Sequence, residues 1–149
     1  IRGGICMKEA LSKAKDNKQL TIKDIEYVEG MDLITTDSGG LNLLDWSIAH
    51  HNYNNIDFLT SKYIDPNECA VNCFTRLYMG VVGGDCNKEN ITNITKLLIK
   101  RGCRCPHGLE CSPPIKDYYS DSLILINKEI SRIAEAAATQ NKKSFSSKK

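Results

Sequence analysis

The 149-residue chain has no apolar run approaching the roughly 18 residues of a membrane-spanning helix. Ile1–Ile5 is too short for the apolar centre of a secretory signal. A soluble, cytoplasmic protein is therefore expected, with further residues upstream because the first residue is not Met. The chain has no glycine-rich phosphate loop; Gly39-Gly40 and Gly83-Gly84 are isolated pairs that suit turns. His50 and His51 stand apart from the cysteine-rich segment, with no orienting motif for a Cys–His nucleophile. Neither an enzyme nor a cofactor is expected. A strong charge of one sign is also missing. The net charge of +2 comes from the end of the chain, where Lys142, Lys143, Lys148 and Lys149 have no acid among them. Removing those four positive charges leaves a body of −2, a poor surface for nucleic acid, whose binding rests on neutralising phosphates. Seven cysteines is an odd number and too sparse for a disulfide scaffold, so the thiols read as reduced.

What the chain does have is ordinary globular composition, 41% hydrophobic and 26% charged, at a length that can bury its own core. It also has an internal repeat. Shifted forward by 33, Asn42-Leu43-Leu44-Asp45 falls on Thr75-Arg76-Leu77-Tyr78. Shifted by 39, Asn55-Ile56-Asp57-Phe58-Leu59 falls on Ile94-Thr95-Lys96-Leu97-Leu98, which places an insertion of six residues within Gly83–Thr92. Shifted backward by 33, Leu44 falls on Leu11, Ser47 on Ala14, Phe58 on Ile25 and Tyr63-Ile64-Asp65 on Gly30-Met31-Asp32.

Each unit reads as two short helices and an extended turn. In the third, a first helix starts at Leu77 and ends near Val82. Ile94, Leu97 and Leu98 then take the i, i+3, i+4 spacing of a second helix, closed by Gly102. In the first, Ile22, Ile25 and Val28 carry the stripe, with Thr21 as N-cap and Asp24 in the first turn. Units are expected at 9–41, 42–74 and 75–112, after an N-terminal extension at 1–8. Leu123, Ile126, Ile130, Ile133 and Ala137 form one more stripe within 113–138, starting from Asp121 or Ser122, that would cap the open end. Residues 139–149 are expected as a disordered basic tail.

These units resemble ankyrin repeats, whose 33-residue unit runs from Thr-Pro-Leu-His to Leu-Leu-x-x-Gly-Ala-Asp-x-Asn. The matches are Gly40, Asn42, Leu44, Ser47, Phe58, Leu59, Asp65 and Asn67 in the second unit. In the third they are Thr75, Leu77, Gly80, Ile94, Leu97, Leu98 and Gly102; in the first, Leu11, Ala14, Ile22, Ile25, Gly30 and Asp32. No unit keeps Thr-Pro. The family's His becomes Asp45, Tyr78 and Ser12, and Glu26 replaces an ordinarily buried Leu, so weakened junctions are expected. The resemblance implies an all-α solenoid of stacked helix-turn-helix units with projecting finger turns. It also implies recognition of another protein by the concave face of a monomer, with the host cytoplasm as the place of action if the chain is a secreted effector.

On that register the candidate contacts are Ser38 and Leu41 on one finger, Val71, Asn72 and Phe74 on the next, and Leu109 and Glu110 on the third. Leu41 and Phe74 are expected to be exposed. Lys13, Trp46 and Met79, 33 apart, would form a row, with His50 at the end of a first helix. Trp46 leads them, because tryptophan is enriched among interface hot spots. The competing chemistry is zinc at Cys103, Cys105, His107 and Cys111, four soft ligands within nine residues. Cys69 and Cys73 stand on the adjacent finger. Against zinc, Cys103 occupies the small, buried position of the repeat; oxidation at an exposed Cys105 or Cys111 is a further expectation.

Overall fold

The computed structural model describes residues 2–26, 28, 30–79, 87–106 and 119–147. Among them are seven α-helices and no strand: α1 Arg2–Lys15, α2 Ile22–Ile25, α3 Leu43–Ala49, α4 Tyr53–Lys62, α5 Cys73–Met79, α6 Lys88–Lys100 and α7 Tyr119–Ser147. Single 3-10 turns at Gly30–Ile34 and Pro66–Glu68 follow α2 and α4. No described helix is long and apolar enough to cross a membrane.

Asparagine starts most of these helices. The side chain of Asn42 accepts from the backbone N–H of Asp45 at 2.8 Å, and the Asp45 carboxylate accepts from that of Asn42 at 3.0 Å. That reciprocal pair satisfies two N–H groups that the first turn of α3 would otherwise leave bare. Asn52 and Asn87 accept from Asn55 and Asn90 in the same way, opening α4 and α6. The ends need left-handed backbone: Asn17 (φ 58°) and His51 (φ 54°) turn the chain after α1 and α3, and Gly102 (φ 80°) turns it after α6. At that last turn the Cys103 N–H reaches the Leu98 carbonyl at 2.9 Å, and glycine holds the conformation without strain.

α3 packs between α1 and α5; α4 lies against α3 and α6; α2 lies against α1, and α7 against α6. The core runs through all of these helices. Leu43, Leu44 and Ile48 on α3, Ile56 and Leu59 on α4, Leu77 on α5 and Ile91, Ile94 and Leu98 on α6 have no exposed surface. Side chains of this size each contribute about 1.5–3 kcal/mol when fully buried.

Four expectations need correction. α1 begins at Arg2, so residues 2–8 belong to the first helix rather than to a separate extension. α2 spans only Ile22–Ile25 and leaves Ile22 55% exposed, so its buried stripe reduces to Ile25, with Val28 buried beyond it. α7 starts at Tyr119, which puts Asp121 and Ser122 inside its first turn instead of at the cap. It runs to Ser147, making most of the expected disordered tail helical; the alanine-rich stretch Ala134–Ala138 has high helix propensity, with no glycine or proline to stop it. Residues 83–86 of the segment holding the insertion, and 113–118 at the start of the expected cap, lie outside the described residues.

Candidate interaction face and the buried thiols

The turn between η-turn Gly30–Ile34 and α3 is built on one carboxylate. Asp37 Oδ1 accepts from the backbone N–H of Gly39 at 2.9 Å and of Leu41 at 3.1 Å, while Oδ2 accepts from Trp46 Nε1 at 2.6 Å. The loop closes with Asp37 N–H on the Leu41 carbonyl at 2.9 Å, and Gly40 takes φ 83° at its tip. Partial burial pushes the Asp37 carboxyl up, but these three hydrogen bonds and the nearby Lys15 ammonium outweigh it, leaving its pKa below the ordinary value. The finger is thereby tied to the α3 tryptophan.

Trp46 is half-buried against the core. Its ring stacks on His50, centroids 6.0 Å apart and planes at 26°, and Lys15 Nζ lies 5.9 Å from its centroid. His50 Nε2 in turn meets the Lys15 carbonyl at 2.6 Å. Beside this group opens a groove of about 600 Å³ between α1 and the finger, lined by Met7, Leu11, Lys15, Thr35, Asp37 and Ser38. Lys13 is half-exposed and bonded to Asp24 at 2.7 Å; Met79 is 50% exposed on α5. Since α3 packs against both α1 and α5, Lys13, Trp46 and Met79 lie on consecutive neighbouring helices.

The remaining candidates divide. Ser38 is exposed, Val71 is 39% exposed, and Leu41 is half-buried rather than free. Asn72 is spent internally: its oxygen accepts from the Phe74 N–H at 2.9 Å, and its Nδ2 donates to the Arg104 carbonyl at 2.7 Å. Phe74 has no exposed surface, which overturns its place as a finger contact. α5 begins at Cys73, before the predicted start, so Phe74 sits in the first helical turn and points into the core. Leu109 and Glu110 lie outside the described residues.

The junctions between units are held by polar side chains that apolar periodicity does not register. Asn55, 1% exposed, accepts from the Leu20 N–H and donates to the Lys18 carbonyl, both at 2.9 Å. Asn90 reaches back in the same sense, donating to the His51 carbonyl at 2.8 Å. His51 Nε2 lies 3.2 Å from the Leu77 carbonyl. Asp45 lies 3.2 Å from Arg76 Nε, near enough for an ion pair although the N–H is not aligned as a hydrogen bond. Tyr78, at the equivalent place, bonds Thr95 at 2.6 Å with both side chains fully buried. These junctions are bonded rather than weakened.

Cys69, Cys73, Cys103 and Cys105 are free thiols and all buried. Cys105 is 8% exposed, which corrects its expected exposure, and burial pushes its thiol up to about 11. His107 and Cys111 lie outside the described residues, and among the described residues no group of three or more His, Cys, Asp or Glu is arranged to hold a metal ion. No protein-family model, curated protein or solved structure matches the chain.

Proposed function

We propose that the chain is an ankyrin-like interaction module that binds another protein through the face made by its first helices and finger turns. The supporting arrangement is the two-layer order, α1, α3 and α5 side by side with α4 and α6 behind them, repeating the 33-residue spacing of the sequence. The observation that carries the reading is Trp46. It is an aromatic side chain braced by Asp37, His50 and Lys15 and half-open beside a groove of about 600 Å³, on a helix that packs against α5, where Met79 is exposed. A pre-positioned aromatic beside exposed apolar surface is the pattern of an interface anchor.

The test is quantitative capture of proteins from a cell lysate by the full chain and by the Trp46→Ala/Met79→Ala variant, with helical circular dichroism as the folding control. The expected outcome is a partner retained by the parent chain and lost by the folded variant. A partner retained equally by both removes this face as the binding surface.

A further inference from the structure

α7 outruns the helix on which it packs. It lies against α6, and its apolar stripe is buried at Ile126 and partly buried at Ile130. Ile99, in the last turn of α6, shares a groove with Arg132 and Glu135, so α6 ends abreast of that point. α7 continues to Ser147, about 18 Å past Glu135 at 1.5 Å per residue. From Ser131 to Gln140 every residue is exposed, Ile133 to 48%. At about 100° per residue, Ile133, Ala134, Ala137, Ala138 and Phe145 occupy positions on one side of this helix. Arg132, Lys142 and Lys143 occupy positions on the other. The stretch expected as a loose tail is thus a projecting helix, apolar along one side and basic along the other.

The charge of the projection has one sign. Glu129 and Arg132 pair at 2.6 Å, Glu135 is the last acid, and Lys142, Lys143, Lys148 and Lys149 follow it. Lys143 stands about 12 Å along the axis from Glu135, beyond the roughly 8 Å screening length of physiological salt. The body's charge of −2 therefore does not cancel the cluster. Lysines at a helix C-terminus also offset the helix dipole, but that role needs no apolar side. We infer that the end of α7 is an arm that docks on an anionic lipid surface. Its apolar side enters the headgroup boundary, and its lysines meet the acidic headgroups. Nucleic-acid phosphates would meet the lysines and leave the apolar side without a role. The arm shares no residue with the face proposed above, so the two readings stand separately.

The test sediments the full chain with vesicles of phosphatidylcholine alone or with about 30% phosphatidylserine, at about 0.1 M and about 0.5 M salt. Binding is expected only on the vesicles that contain phosphatidylserine and only at the lower salt. Lys142→Gln/Lys143→Gln should weaken it by about 30-fold and Phe145→Ala by about tenfold, each with the helical circular dichroism of the parent. No binding to the phosphatidylserine vesicles, equal binding to both kinds, or an affinity untouched by the lysine pair overturns the inference. An affinity unchanged by Phe145→Ala takes the apolar side out of the contact and overturns it as well. A short DNA duplex or poly-glutamate bound more tightly than the vesicles would assign the arm to nucleic acid or to an acidic protein, and the lipid assignment would fall.

Discussion

The contacts on the two sides of α3 and α4 do the same task with different chemistry. At the first junction, toward α1 and the loop after it, the links are neutral: Asn55 reaches the Leu20 N–H and Lys18 carbonyl, Asn52 reaches Asn17, and His50 reaches the Lys15 carbonyl near solvent. At the second junction, toward α5, the links carry charge or a titratable ring into the interior. Asp45 is 2% exposed and faces Arg76 at 3.2 Å, and His51, 6% exposed, faces the Leu77 carbonyl. A neutral amide costs little to bury once its partners are met, whereas a buried charge depends wholly on its counterpart. The second junction should therefore fail harder and respond to pH.

The largest expected effect tests that difference directly. Arg76→Met leaves the Asp45 carboxylate buried without a cation and should destabilise the fold by about 3 kcal/mol, the low end for a broken buried pair because Arg76 keeps some exposure. Adding Asp45→Asn should restore most of that loss, since an asparagine can still accept from the Asn42 N–H. Urea unfolding of the single and double variants reads both. A single variant within 0.5 kcal/mol of the parent would mean that the pair is solvated, and the contrast between junctions would fall.

What the sequence disclosed and what it hid divide along the same line. Apolar spacing located α6, its closure at Gly102 and its buried stripe Ile94, Leu97 and Leu98. It misplaced Phe74, because an apolar residue beside a predicted finger looks like a contact until the helix start moves from Leu77 back to Cys73. It did not reveal Asn55 or Asn90. Asparagine occurs throughout the turns and caps of this chain, and nothing in the spacing separates an asparagine that caps its own helix from one that clamps the neighbouring loop. Of the candidate face, the 33-residue period set Lys13, Trp46 and Met79 on successive packed helices, but it did not reveal the brace of Asp37 on Trp46.

The second effect belongs to the neutral junction. Asn55→Ala strips partners from the Leu20 N–H and the Lys18 carbonyl at once and should cost about 2 kcal/mol. Because both lost bonds are to the loop after α1, the variant should raise hydrogen exchange in α1 and α2 while α6 stays protected. Equal loss of protection in α1 and α6 would show that the units do not open separately, and the junctions would then have to be treated as one.

The smallest effect is the most specific. Burial disfavours the charged form of His51 and holds its pKa below the ordinary 6.5, with the His50 ring adding to the shift and the bond to the Leu77 carbonyl opposing it. Above 6.5 the ring is neutral in the folded and unfolded chains alike, and pH has no leverage through it. Below 6.5 the unfolded chain takes up a proton that the folded chain refuses, so stability falls as the pH drops and levels off only beneath the folded pKa. His51→Asn suits the position because asparagine tolerates the left-handed backbone at φ 54° and cannot titrate. The parent chain should lose melting temperature between pH 7 and pH 5 more steeply than this variant. Parallel slopes for the parent and His51→Asn would place the acid sensitivity outside the second junction.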